Sequence, residues 1–207
     1  MGRPKSYERD CIARKAMEVF WRHGFHGTST QALVDAMGVN RFSLYAEFGN
    51  KQALYEAALT LYELEVVGPY FLALESLQGG LKEMEDLFTA FASSAGQPGS
   101  EMGCFACNAA TDRAADDSGV RLFVHAYVQR ISAAFTHGLR NARKGFVGLP
   151  AADVVSEGYY LATIVVGFFV LLRAQVAPDV LRAAAHNAMR HIRYLTMPVR
   201  APKPKLN

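Results

Sequence analysis

Cysteine is scarce in this 207-residue chain: there are three, an odd number that does not close into a disulfide framework. No charged-then-apolar leader opens the sequence. The longest apolar stretch, Tyr159 to Leu172, is 14 residues, short of the roughly 20 that cross a bilayer. A cytoplasmic location and no membrane partner are therefore expected. Catalytic signatures are missing too: there is no G-x-S-x-G elbow, P-loop, G-x-G-x-x-G turn or H-E-x-x-H helix. His23, His26, His125, His137, His186 and His191 are scattered, without obvious spacing to carboxylates. Neither an enzyme, a metal site nor a cofactor is expected. Strand signals are few, with no Asn-Gly or Asp-Gly turn and no sustained alternation.

What is present is apolar sequence at helical spacing. At 51% apolar the chain can bury a substantial core, and its alanine- and leucine-rich segments predict an all-α fold of about nine helices. Charge is unevenly placed. Residues 1–55 carry 8 Lys+Arg against 5 Asp+Glu, residues 56–180 carry 8 against 14, and residues 181–207 carry 6 against none. A basic amino-terminal unit ahead of an acidic middle suits one end that meets phosphate and a body that does not. The basic tail, RAPKPKLN, reads as solvated chain.

The stretch Gly38 to Phe48, GVNRFSLYAEF, organises the rest. Gly38 can take the positive φ that ends one helix, and Asn40 is a good N-cap for the next. Val39 and Leu44 can form a hydrophobic staple that sets the exit angle of the second helix. Leu44 and Phe48, four apart, then face inward, while Arg41, Phe42, Ser43, Ala46 and Glu47 are left outside or along the rim. Ahead of this unit, Glu8 to His23 is a helix with Ile12, Ala13, Ala16, Val19 and Phe20 on one face, and Gly24 ends it. Ser29 is the expected N-cap of the second helix, with Thr30 and Gln31 in its first turn. Asn50 caps a fourth helix from Lys51 to about Val67, stopped by Gly68-Pro69. The first seven residues, MGRPKSY, are expected to be a flexible arm; Gly-Arg-Pro-Lys suits a minor groove and equally a free tail.

From Gly24 to Leu54 the sequence reads G-F-x-x-T-S-T-x-x-L-V-x-x-M-G-V-x-x-x-x-L-Y-x-x-F-x-N-K-x-x-L. This resembles the amino-terminal domain of the tetracycline-repressor (TetR) family over about the first quarter of the chain. The resemblance implies a three-helix helix-turn-helix DNA-binding head (residues 1–50), a connecting helix (51–68) and a larger helical effector-binding and dimerisation body (69–207). It also implies a homodimer, formed through the two C-terminal helices, on a palindromic double-stranded operator. By the resemblance Gln31, Arg41, Phe42, Ser43 and Tyr45 fall where the family contacts bases or backbone and Lys51 where it holds a phosphate; Ser29, Thr30 and Gln31, at the start of the second helix, can also meet a phosphate. Phe42 departs from the small residue or proline common in the family, and Ala46 and Glu47 from its aromatic or histidine.

In the body, helices are expected from Tyr70 to Leu77 and from Leu81 to Ala95, one capped by Ser118, and two long ones, Ala151 to Ala174 and Pro178 to Thr196. Gly96 to Met102 and Gly145 to Pro150 read as loops. The penultimate helix is apolar nearly all round, so it is either internal or covered by a second subunit, and a close helix approach would offset the helix cost of Gly167. Candidate effector contacts are Tyr62, Phe88, Phe91, Phe105, Cys107, Phe123, Tyr127 and Tyr159, an aromatic-rich set that suits an apolar or aromatic small molecule. Cys104 and Cys107, three apart, are either wall thiols or a redox or electrophile sensor; with no second cysteine pair they make a weak zinc signal. The leading reading is a ligand-responsive regulator of transcription, a repressor. The alternatives are a thiol-based sensor that still binds DNA, a helical protein-interaction module without DNA binding, and a small-molecule enzyme on the same scaffold.

Overall fold

A computed structural model describes residues 5–144 and 153–197, with the backbone alone for residues 5–8. Among them there are helices and no strands: α1 (Lys5–His23), α2 (Thr30–Met37), α3 (Arg41–Phe48), α4 (Lys51–Tyr62), α5 (Gly68–Glu75), α6 (Leu81–Ser94), α7 (Phe105–Asp112), α8 (Ser118–Ala142), α9 (Val154–Arg173) and α10 (Pro178–Thr196). Of the arm expected over residues 1–7, the first four lie outside the described residues and the rest are helical; the expected loop 145–150 and the tail RAPKPKLN lie outside them.

α1 packs along α4 and against α2, and α3 sits across α2 and α4. Ala13, Ala16, Met17 and Phe20 of α1 meet Leu33, Leu44, Leu54 and Leu59 in one apolar core. In the body α8 lies along α9 and α6 along α10. The α8–α9 approach is tight at Gly158, where a Cβ would stand 2.2 Å from Thr136 Oγ1. Among the described residues the close approach expected at Gly167 is not made, since none of them lies within 4 Å of a Cβ built there.

Several boundaries differ from the sequence reading, among them α5, which spans Gly68–Glu75 rather than Tyr70 to Leu77. α1 begins at Lys5 rather than Glu8. α8 is capped by Asp117, whose side chain accepts from Val120 N, and not by Ser118. The largest difference is at Gly68-Pro69, which does not stop the helix. α4 runs through a π-helical turn, Glu63–Val67, into α5, so that Lys51–Glu75 forms one rod and the described helices make nine such units. Gly68 stays helical (φ −49°, ψ −51°) and its N–H reaches back five residues to Glu63 O. The widened turn carries the chain past Pro69, which has no N–H to give. Distant partners pin this turn. Arg14 of α1 makes a forked contact to Glu65 at 2.6–2.9 Å, and Arg130 of α8 bonds Glu75 at 2.7 and 2.9 Å and stands 3.5 Å from Glu63.

Candidate nucleic-acid interface and ligand cavity

Local chemistry fixes the pitch of α2 and α3. Ser29 Oγ accepts from Ala32 N at 3.0 Å, and Asn40 Oδ1 accepts from Ser43 N at 2.8 Å. Gly38 takes φ +68°, a left-handed value that disfavours any side chain, and donates to Val34 O at 2.9 Å. Leu44 and Phe48 are buried, and Val39 packs against the same core. The opposite face is left bare: Arg41, Ser43, Ala46 and Glu47 are exposed and Phe42 is 84% exposed. Tyr45 joins the two helices, its hydroxyl 2.7 Å from Thr30 Oγ1 and its ring 5.6 Å from the Arg41 guanidinium carbon. Glu47 is balanced by Arg9, 3.8 Å away, which also lies over the Phe48 ring. Gln31 donates to Asp35 at 2.7 Å, on the surface.

Lys51 is engaged within the protein. Its ammonium donates to Phe25 O at 2.6 Å and sits 4.2 Å from the centre of the Phe25 ring. The Arg113 guanidinium stacks on the same ring at 4.3 Å, and Phe25 N donates to Asp112 Oδ2 at 2.8 Å. Burial, aided by Arg113, lowers the pKa of Lys51 from its ordinary value. The turn between α1 and α2 is thus gripped by the carboxyl end of α7.

Between this head and the body lies a cavity of about 210 Å³. Its wall includes Trp21 of α1, Tyr62 and Val67 of the long rod, Phe91 of α6, Cys104 beside α7, Tyr127 of α8 and Phe169 of α9. Of the eight residues proposed from sequence, Tyr62, Phe91 and Tyr127 line it. Phe88, Phe105 and Cys107 are buried in the packed core instead, Phe123 is a partly buried residue packed against that core, and Tyr159 is 50% exposed on α9. Phe105 packs edge-on against Tyr55 (5.3 Å) and Tyr62 (5.7 Å), which makes it a support of the wall. Trp21 was missed because it stands on the helix-turn-helix head, one residue past the core position Phe20. Its size beside that stripe was the signal available.

Residues 12–58 match the family described as bacterial regulatory proteins, tetR family. Over 196 residues, 91% of this chain and 90% of the relative, the sequence is 30% identical to the HTH-type transcriptional repressor ComR of Escherichia coli (strain K12). The chain belongs to the tetR family of bacterial regulatory proteins. It is a DNA-binding transcriptional regulator. It is also 30% identical over 165 residues to the HTH-type transcriptional regulator YezE of Bacillus subtilis (strain 168), covering 78% of this chain and 84% of YezE. In structure it is similar to the TetR family regulator CifR, solved with 26-bp double-strand operator DNA: TM-score 0.76, 26% identity, 91% of this chain and 98% of CifR.

In this tetR protein Cys104 and Cys107 take unequal places. Cys104 lines the cavity with its Sγ 3.3 Å from Tyr127 Oη, whereas Cys107 points into the core, and each is only 2% exposed. Burial raises the Cys104 thiol, but hydrogen bonds from Cys107, Tyr127 and Tyr62 outweigh it and bring its pKa below the usual thiol value. Cys107 is raised, first by its bond to Cys104 and then by burial. This is a closed wall cluster, in place of the accessible pair that a thiol sensor would present.

Proposed function

We propose that the protein is a homodimeric, ligand-responsive repressor of the cytoplasm. In this reading it binds a palindromic operator through residues 1–50 and is released by a small apolar or aromatic effector bound in the body, residues 69–207. The single observation that carries this reading is the capped, stapled α3, whose buried Leu44 and Phe48 leave Arg41, Phe42 and Ser43 bare on the other side. Arg41 suits a guanine edge and Phe42 a thymine methyl. Ser29, Thr30, Gln31, Ser43, Tyr45 and Lys51 serve the backbone, since the first turns of α2 and α4 offer amides and dipole to phosphate.

The dimer is supported by α9, which exposes Val155, Tyr159, Tyr160, Val170 and Leu171 along an apolar helix, and by Val180, Tyr194 and Met197 on and just after α10. Open space over Gly167 fits a partner's helix there. Two α3 helices held about 34–36 Å apart read successive major grooves, so an effector that spreads the heads breaks the match. The relatives are named as transcriptional regulators or repressors, and no catalytic role is assigned to this chain.

Titration of the purified protein into its own upstream DNA at several salt concentrations tests the reading. Affinity should fall steeply with salt. Arg41→Ala should lose about 1–3 kcal/mol of discrimination between sites. Salt-independent or absent binding would refute it.

A further inference from the structure

Among the described residues, no Asp, Glu, Lys, Arg or His lines the cavity. Polar groups in its wall are partly spent on one another: Tyr127 Oη meets Cys104 Sγ at 3.3 Å, and Ser94 Oγ donates to Phe91 O at 2.8 Å. A buried charge without a partner is costly, so a charged guest finds little compensation here. The volume, about 210 Å³, exceeds the ~150 Å³ that holds benzene and falls short of the ~300 Å³ typical of drug-sized ligands. Rings offer the best fit, because Trp21, Tyr62, Phe91 and Phe169 present aromatic faces and edges.

Trp21 differs from the rest of the wall. It is carried by α1, which packs on α2 and α4 as part of the DNA-reading head. Its ring stands edge-on to Tyr62 at 4.9 Å, and its Nε1–H donates to Met102 O at 3.0 Å. Met102 ends a 3-10 turn, Ser100–Met102, and Gly99, Ser100 and Gly103 in and around that turn also line the cavity. The next residue, Arg22, is held to the same turn through Arg173, whose Nη2 donates to Arg22 O at 2.9 Å and Nη1 to Glu101 O at 3.3 Å. The carboxyl end of α1 is therefore tied to the segment that borders the cavity.

We propose that the cavity takes a neutral one- or two-ring aromatic molecule, and that Trp21 is the positioning residue through which its occupancy reaches α2 and α3. This rests on the effector reading above. A guest that shifts the indole alters its bond to Met102 O and with it the angle of α1 on the body. The head, packed on α1, turns with it.

Trp21 is the only tryptophan, so its emission reports the cavity directly. The probe is nitrobenzene, a neutral one-ring quencher, set against benzoate, which has nearly its shape and a negative charge. Nitrobenzene should quench saturably, benzoate should not compete, and saturating nitrobenzene should weaken operator binding by about 5- to 150-fold, the range of ordinary allosteric coupling. Ser94→Leu, which crowds the wall, should lose the saturable quenching. Trp21→Phe keeps a ring and loses the indole N–H. At nitrobenzene concentrations shown by calorimetry to saturate it, this variant should lose most of the operator response.

A full operator response in folded Trp21→Phe overturns the role of Trp21 and leaves the effector cavity standing. Equal competition by benzoate overturns the neutral class. Unsaturable quenching, unchanged in Ser94→Leu, overturns the whole inference, whereas loss of operator binding without any probe speaks against the regulator reading itself. Trp21→Tyr, with circular dichroism on both variants, serves if Trp21→Phe does not fold.

Discussion

Lys51→Met separates the grip on Phe25 seen in the structure from the phosphate contact proposed above. The structure gives the ammonium a charged hydrogen bond to Phe25 O at 2.6 Å and a ring contact at 4.2 Å. A hydrogen bond to a charged group contributes about 1.5–3 kcal/mol, and a partly exposed cation over a ring about 0.5–1 kcal/mol. Against these stands the burial that lowers the lysine's pKa, a cost that methionine does not bear. The net loss is about 2 kcal/mol, which for a chain of this size lowers Tm by about 4–8 °C. The proposed phosphate contact is read from DNA affinity. If each lysine of a dimer holds one phosphate, the slope of log K against log salt should fall by about 1.8, roughly 0.9 for each. Calorimetric melting and binding across a salt series give both numbers from one preparation. An unchanged Tm would refute the grip on Phe25. An unchanged slope would refute the phosphate contact and leave the grip intact.

Phe42→Ala should leave stability within about 0.5 kcal/mol of the wild type, because the ring is 84% exposed. Its operator affinity should fall chiefly at sites carrying thymine at one position, measured by competition with single-base variants; equal loss at every site would count against a direct base contact. Asp117→Ala removes the cap of α8 and should cost about 1 kcal/mol at neutral pH in urea melts. The bond from Val120 N and, more weakly, Arg113 lower the Asp117 pKa below its ordinary 3.8. The cap's contribution is then complete above that ordinary value and is lost as pH falls through the lower folded one. The two proteins should converge in stability below about pH 4. A gap that persists at the lowest pH would show that the charge is not what holds the helix start.

Capping made the amino-terminal third legible. Ser29, Asn40 and Asn50 each accept from the amide three residues on, a bond decided within one turn of chain, and all three were read correctly from sequence. The passage through Gly68-Pro69 was misread because its supports lie far away in sequence: Arg14, 51 residues before Glu65, and Arg130, 55 residues after Glu75. Composition separates apolar residues from polar ones, but it does not separate those that border a void from those that fill the space behind it. Phe88 and Phe91 are three apart on α6 and both buried, yet only Phe91 reaches the cavity. Lys51 was recognised by its place in the fourth helix, while its hold on Phe25 depends on a turn 26 residues earlier.

The rod from Lys51 to Glu75 carries a π-helical turn in its middle, five residues wound wider than an ordinary α-helix. Val66 and Val67 of that stretch border the cavity, and Tyr70 and Phe71 border it just beyond. The cavity wall and the first helix of the head therefore share one support: the turn that carries Val66 and Val67 also carries Glu65, which Arg14 of α1 clasps with both oxygens.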